Sequence, residues 1–209
     1  MTLREEEYKR LVEEIRNCTK CRLHESRKNP VPGEGPLDAR VMLVGEAPGR
    51  MEDRQGRPFV GRAGDLLNVL LAIAGVERRQ VYITNIVKCR PPGNRDPKED
   101  EIAACLPFLL RQIQLIRPQI IVSLGRHAGR TLFSLAGKRW PGIRKAHGKP
   151  VEVSIVGVRL TLYPTYHPAA ALYKPELRSV LEEDFKELGG LIKSLGGEHR
   201  RGRSLLDYL

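Results

Sequence analysis

The alternation of short apolar runs with helix-forming segments constrains this chain more than any other feature. Val41–Val44, Val81–Val87, Gln119–Leu124 and Val158–Pro164 are rich in Val, Ile and Leu and read as strands buried on both faces. Between and around them lie helical patterns. Over 3–16, Tyr8, Leu11, Val12 and Ile15 recur at helical spacing among charges. Others cover 63–74, a segment opened by Gly125-Arg-His-Ala, and 175–194. The helix over 98–116 starts after Asp96-Pro97 with acidic residues in its first turn, where the positive end of the helix dipole favours them. Helices between buried strands imply an α/β fold with a largely parallel sheet covered on both faces. Val151–Val156 and Val158–Pro164 alternate as a strand pair around Gly157. A Pro/Gly-rich link runs from Asn29 to Pro36, and no internal repeat or low-complexity segment is present. The expected organisation is one domain over 1–195, followed by a basic tail over 196–209.

At 209 residues, with 41% hydrophobic and 29% charged residues, the chain is long enough for a real core and too apolar to be disordered. Its 36 Lys plus Arg against 25 Asp plus Glu give a net charge of +11, and 25 of the basic residues are Arg. Arg binds phosphate bidentately, so this balance points to nucleic acid or another polyanion, although a heat-adapted surface can also be Arg-rich. The longest mostly apolar stretch, Leu66–Val76, is interrupted by Asn68 and falls well short of the roughly 20 residues that a spanning helix requires. The start, Met-Thr-Leu-Arg-Glu-Glu-Glu, carries no signal-peptide core. A cytoplasmic location is therefore expected, with thiols kept reduced.

In open α/β sheets, ligands sit beyond the carboxyl ends of the strands. Four unusual clusters follow apolar runs here: Gly45-Glu46-Ala47-Pro48-Gly49, Asn85 to Cys89, Ser123 to His127, and Tyr166-His167-Pro168. Parallel strands bring all four to one edge. Glu46, in a tight turn, can orient water or stabilise a developing cation, and His167 can donate to a leaving group. Phe59, in a loop among basic residues, offers a stacking face for a base or a core contact. The helix start at Ser123–His127 offers free N–H groups to a phosphate.

The cysteines carry the strongest local signal. Cys18 and Cys21 form a CxxC, and Cys89 and Cys105 follow. Four thiolates can close a zinc site or hold an iron–sulfur cluster, and spacing alone does not choose between them. Cys89 lies just beyond Asn85, so a metal there would staple a binding loop, with Lys88, Arg90 and Arg95 expected to face the same edge.

Taken together, these residues resemble the iron–sulfur (family 4) uracil-DNA glycosylases of thermophiles. The resemblance covers nearly the whole chain from Cys18 to the last helix. It rests on Gly45-Glu-Ala-Pro-Gly49, the stretch Glu52-Asp53 to Gly64, Thr84-Asn85 to Pro92, His167-Pro168 and the cysteine pattern. It implies a three-layer α/β/α sandwich with a four-stranded, mainly parallel central sheet, and excision of uracil from single- or double-stranded DNA by a monomer. It implies a [4Fe–4S] cluster on Cys18, Cys21, Cys89 and Cys105. It assigns water positioning to Glu46, leaving-base stabilisation to His167, uracil selection to Asn85 and stacking to Phe59. Gly45 and Ala47 line the pocket, and Glu52 lies near uracil C5, set against the methyl of thymine. After His167-Pro168 the family often shows a Leu-Leu-Arg-like segment, whereas this chain has Ala169-Ala-Ala-Leu-Tyr-Lys-Pro175. Leu172, with Tyr173 second, is the candidate wedge into the duplex, and Lys174, Arg90 and Arg126 are candidate DNA contacts. Residues 202–209 faintly resemble a sliding-clamp-binding peptide, without its leading Gln and second aromatic. A DNA-binding protein without activity, and a relative with altered base choice, are the competing readings; intact Glu46, Asn85 and His167 favour the enzyme acting on uracil.

Overall fold

A computed structural model of the chain describes residues 2–198. Its centre is a five-stranded sheet built from β1 (Val41–Gly45), β2 (Tyr82–Asn85), β3 (Ile120–Leu124), β4 (Val151–Ile155) and β5 (Val158–Thr165), in the order β2-β1-β3-β5-β4. The first four strands of that order run parallel, with Gly45 paired to Asn85 and Leu124 to Thr165. The carboxyl ends of the four parallel strands therefore meet at one edge, as expected. The sheet has one strand more than the expected four. β4 pairs antiparallel with β5 at the margin, and its alternating burial marks an edge strand wet on one face, unlike the wholly buried β1, β2 and β3. The hairpin turn is Val156-Gly157, both with positive φ, a geometry whose twist suits two paired strands.

Alternate strand residues face opposite layers. Met42, Val44, Tyr82 and Ile121 pack with α1 (Leu3–Arg16), α5 (Glu99–Ile116) and α6 (Arg126–Leu135) through Leu11, Leu109 and Leu132. Val41, Leu43, Ile83 and Val122 pack with α4 (Arg62–Ile73) and α9 (Glu176–Glu198) through Leu67, Leu70, Leu181 and Phe185. This is the three-layer sandwich. α1 begins at a reciprocal Thr2–Glu5 cap, and three acidic residues fill the first turn of α5.

Several boundaries move from their expected places. β2 stops at Asn85, because Ile86 and Val87 turn away to bond the carbonyls of Gly45 and Glu46 on the way to Cys89. Four short helices were not foreseen: α2 (Leu23–Ser26), α3 (Arg50–Gln55) inside the Gly-rich loop, α7 (Ile143–Ala146) and α8 (Pro168–Tyr173). Helix α9 runs to Glu198, past the expected start of the tail at 196. The candidate clamp peptide at 202–209 lies outside the described residues. Among the described residues no helix is long and apolar enough to cross a membrane.

Candidate active site and cysteine centre

A cleft of about 630 Å³ opens at the carboxyl edge of the sheet. Its lining includes Glu46, Ala47, Glu52, Phe59, Asn85, Arg126 and His167, so most of the residues singled out from sequence come together. Gly45, expected to line the pocket, stands outside that lining and packs against two of its residues, Asn85 and Phe59. A Cβ on Gly45 would fall 2.3 Å from Asn85 Oδ1 and 2.9 Å from Phe59 Cζ, so only glycine lets those two side chains share the floor. Asn85 is buried, and its Oδ1 has no hydrogen-bond partner among the described residues. An orphaned buried acceptor costs about 1–3 kcal/mol, which a ligand N–H would offset.

Phe59 is held in a left-handed backbone conformation, φ 50°, unusual for a bulky residue. Three groups keep it there. Arg78 donates to the carbonyls of Phe59 (3.0 Å) and Pro58 (2.6 Å), and Glu52 Oε1 accepts from the N–H groups of Val60 and Gly61. Gly64 lies so close that a Cβ would sit 2.0 Å from the Phe59 oxygen. The Phe59 ring lies nearly parallel to that of His167, with centroids 5.5 Å apart. A third ring between them would need about 7 Å, twice a stacking contact, so a base must lie beside this pair rather than inside it.

His167 caps α8, and its Nδ1 accepts from Ala169 N–H at 3.1 Å. The ring proton therefore resides on Nε2. Loss of surrounding water lowers the His167 pKa to about 4, only partly opposed by Glu52. At neutral pH it is an uncharged donor.

Glu46 belongs to a cluster that sequence reading missed. Its Oε2 lies 3.8 Å from His127 Nε2, which lies 3.1 Å from Asp96 Oδ2, and Arg126 donates to that same oxygen at 2.6 Å. Desolvation raises the Glu46 pKa, with His127 opposing and Asp96 reinforcing. These side chains could also surround a cation, although Arg126 already occupies Asp96. The expected phosphate cradle at Ser123–His127 is partly used internally: Gly125 N–H bonds Thr165 O.

The other expected DNA contacts divide. Tyr173 is exposed on the cleft rim, while Leu172 is half-buried; among the described residues Leu172, Lys174 and Arg90 stand outside the lining. Of the three cations expected to face the edge from the 88–97 loop, Arg95 does line the cleft, Arg90 does not, and Lys88 is corrected by the structure. Lys88 is buried and its Nζ donates to Thr84 Oγ1, Asn85 O and Gln112 Oε1, each at 2.7 Å. Arg95 is tied to Glu101, and Arg90 to Asn94. Three acceptors around one ammonium satisfy all its donors, which is how a charge can be buried at all. Burial lowers the Lys88 pKa to about 8, so it keeps its proton at neutral pH.

All four cysteines line one cavity on the layer of α1 and α5. Cys18 and Cys21 come from the turn between α1 and α2, Cys89 from the loop after β2, and Cys105 from α5. Arg27 donates to Cys89 Sγ at 3.0 Å, and Lys88 N–H to Cys105 Sγ at 3.2 Å. Donors aimed at sulfur, with a buried cation alongside, suit anionic thiolates holding a metal better than neutral thiols.

With this geometry established, comparison with known proteins decides the family. Residues 32–188 match the Uracil DNA glycosylase superfamily. The chain belongs to that superfamily. Its similarity is strong to type-4 uracil-DNA glycosylases. That of Sulfurisphaera tokodaii is 54% identical over 180 residues, covering 86% of this chain and 82% of the relative. That of Thermotoga maritima is 46% identical over 198 residues, covering 94% and 100%. A type-5 uracil-DNA glycosylase of Pyrobaculum aerophilum is more distant, at 34% over 193 residues, covering 78% and 82%. Within the superfamily the chain is a type-4 member.

Proposed function

We propose that this chain excises uracil from DNA, hydrolysing the N-glycosidic bond of a flipped deoxyuridine to leave an abasic site. The observation that carries this reading is the buried, unpartnered Asn85 Oδ1 beside Phe59 and His167. Uracil presents N3–H to such an acceptor and O4 to the amide N–H, whereas cytosine presents the reverse pattern. A site built around that amide rejects the wrong edge by leaving buried groups unpaired.

In the reaction the C1′–N1 bond breaks, and its electron pair leaves with the base, building negative charge on O2. The neutral His167 donates from Nε2 to that oxygen, so no proton transfer is needed to stabilise it. Removing such a donor typically costs roughly 2.7–4 kcal/mol. The sugar becomes cationic at C1′. Glu46 offsets that charge and aligns a water whose oxygen bonds to C1′ and whose proton passes to the carboxylate. Taking the base out of the stack costs a few kcal/mol, which contact with the edge of the Phe59–His167 ring pair recovers in part. Tyr173, the exposed aromatic on the rim, suits the wedge into the duplex better than half-buried Leu172. Glu52, which holds the Phe59 loop, also borders the space beside the base ring, consistent with exclusion of thymine's methyl.

The four thiols fit a [4Fe–4S] cluster, which when bound supplies covalent cross-links among α1, the post-β2 loop and α5. Lys88 joins this centre to the pocket, bonding the backbone oxygen of Asn85 while its own N–H faces Cys105. A brown protein with visible absorbance and matching iron and sulfide supports the cluster; a colourless one with stoichiometric zinc rejects it.

The direct test is incubation with a uracil-containing oligonucleotide followed by alkaline strand scission. Scission at the uracil is expected; none, with bound DNA still detectable, overturns the enzymatic reading. Gly45→Ala should remove the floor geometry. Excision should fall by about 100-fold or more, as misplacements of an ångström do, while the protein still folds with a melting point lowered by several degrees, since overpacking costs about 1–3 kcal/mol. Wild-type single-turnover rates in that variant would refute the floor assignment.

A further inference from the structure

The chain contains a stretch of extreme charge asymmetry that the cleft does not use. From Ile102 to Val151 the sequence has no Asp or Glu and nine Lys or Arg. Arg111, Arg126 and Arg130 in that stretch are paired with Glu14, Asp96 and Glu99. Lys138, Arg139, Arg144, Lys145 and Lys149 are all exposed, and among the described residues their side chains have no ion-pair or hydrogen-bond partner. All five fall in the connection that leaves α6 and passes through α7 to β4.

This connection is held firmly at both ends. Trp140 lies edge-on to Phe133, centroids 4.9 Å apart, against Gly129 of α6. His147 Nδ1 bonds the buried Asp184 of α9 at 3.0 Å, and Gly148 N–H bonds Pro164 O at 2.9 Å. The His147 ring also packs 5.0 Å from Tyr166, the neighbour of His167. The C-terminal end of the segment, at His147–Gly148, therefore lies by the carboxyl end of β5, two residues from the His167 side of the cleft, and the segment reaches it from the far end of α6. Five unpaired cations within twelve residues offer a site to a polyanion. The cations that line the cleft, Arg126 and Arg95, already share the carboxylates of Asp96 and Glu101, unlike the five on this connection.

We propose that residues 138–149 form a basic strap that grips the phosphodiester backbone of DNA beyond the flipped nucleotide. The proposal rests on DNA being the substrate of the cleft. The strap adds affinity for strand length, while the cleft alone handles the nucleotide being cut. Neutralising phosphates releases counterions, so each contact contributes about 0.7–0.9 to the slope of log K against log salt.

The test compares wild type with a fivefold Gln variant (K138Q, R139Q, R144Q, K145Q, K149Q) and a charge-keeping variant (K138R, K145R, K149R). Binding is measured across salt with a 20-nucleotide DNA carrying non-hydrolysable 2′-fluoro-deoxyuridine, with the same DNA lacking uracil, and with a trinucleotide of the same analogue. For both 20-nucleotide probes the slope of the Gln variant should be shallower by about 3.5–4.5 and its affinity at least tenfold weaker. Trinucleotide binding and the single-turnover rate at saturation should not change, and the Arg variant should match wild type throughout. An unchanged slope, or an equal loss on the trinucleotide, overturns the strap. A partial variant, R144Q with K145Q alone, should lose about 1.5 from the slope; no change there also overturns it. Because the undamaged DNA reads phosphate contact directly, a failed strap and a failed glycosylase are told apart.

Discussion

Glu46→Gln should lower single-turnover excision of uracil by roughly 10²–10⁴-fold while DNA binding stays within a few-fold of wild type. The amide keeps the shape of the side chain but can neither offset a cationic sugar nor take a proton from water. The pH profile sharpens the expectation. Only the ionised carboxylate works, so activity is lost as pH falls through the Glu46 pKa. Desolvation, with Asp96 reinforcing and His127 and Arg126 opposing, lifts that pKa above the ordinary carboxylate value of 4.5. His167, at about 4, titrates below it and stays an uncharged donor throughout that limb. Asp96→Asn should therefore shift the acid limb to lower pH, since it removes a like charge facing Glu46. A limb that stays in place in Asp96→Asn, or an unaltered rate in Glu46→Gln, would show that the carboxylate does not act at the sugar.

Asn85→Asp is expected to exchange one base for another. At a position 1% exposed, a carboxyl group is driven toward its protonated form. A protonated Asp can donate to cytosine N3 and accept from the cytosine amino group, the complement of what Asn offers uracil. Uracil excision should drop by up to about 10⁴-fold, the scale set by unpaired buried polar groups, and cytosine excision should rise above background. Mass spectrometry of the released base checks both. If uracil excision vanishes and free cytosine never appears in a variant that melts like wild type, Asn85 does not select the base.

Much of the scaffold was legible in the residues themselves. Helix 3–16 matches α1, because its period and its Thr2–Glu5 cap are local. The convergence of Gly45, Asn85 and His167 followed from buried strands that had to be parallel. What escaped reading depends on contacts far apart in sequence. Lys88 looked like a loop cation, yet it is buried by Gln112 of α5 and Thr84 of β2. His127 and Asp96 meet only because the 88–97 loop folds over the start of α6. Gly64 gave a usable hint, since a glycine near the start of an otherwise good helix costs stability and implies a close neighbour. That neighbour is the Phe59 carbonyl. The extra strand β4 was visible as half of a hairpin, but its place at the sheet margin is a matter of topology rather than local pattern.

The lysine beneath Asn85 has one more implication. Its side chain bonds the peptide oxygen of Asn85, and its own peptide N–H donates to the sulfur of Cys105. A single residue thus ties the placement of the Asn85 peptide to the cysteine centre, so that reshaping either one bears on the other.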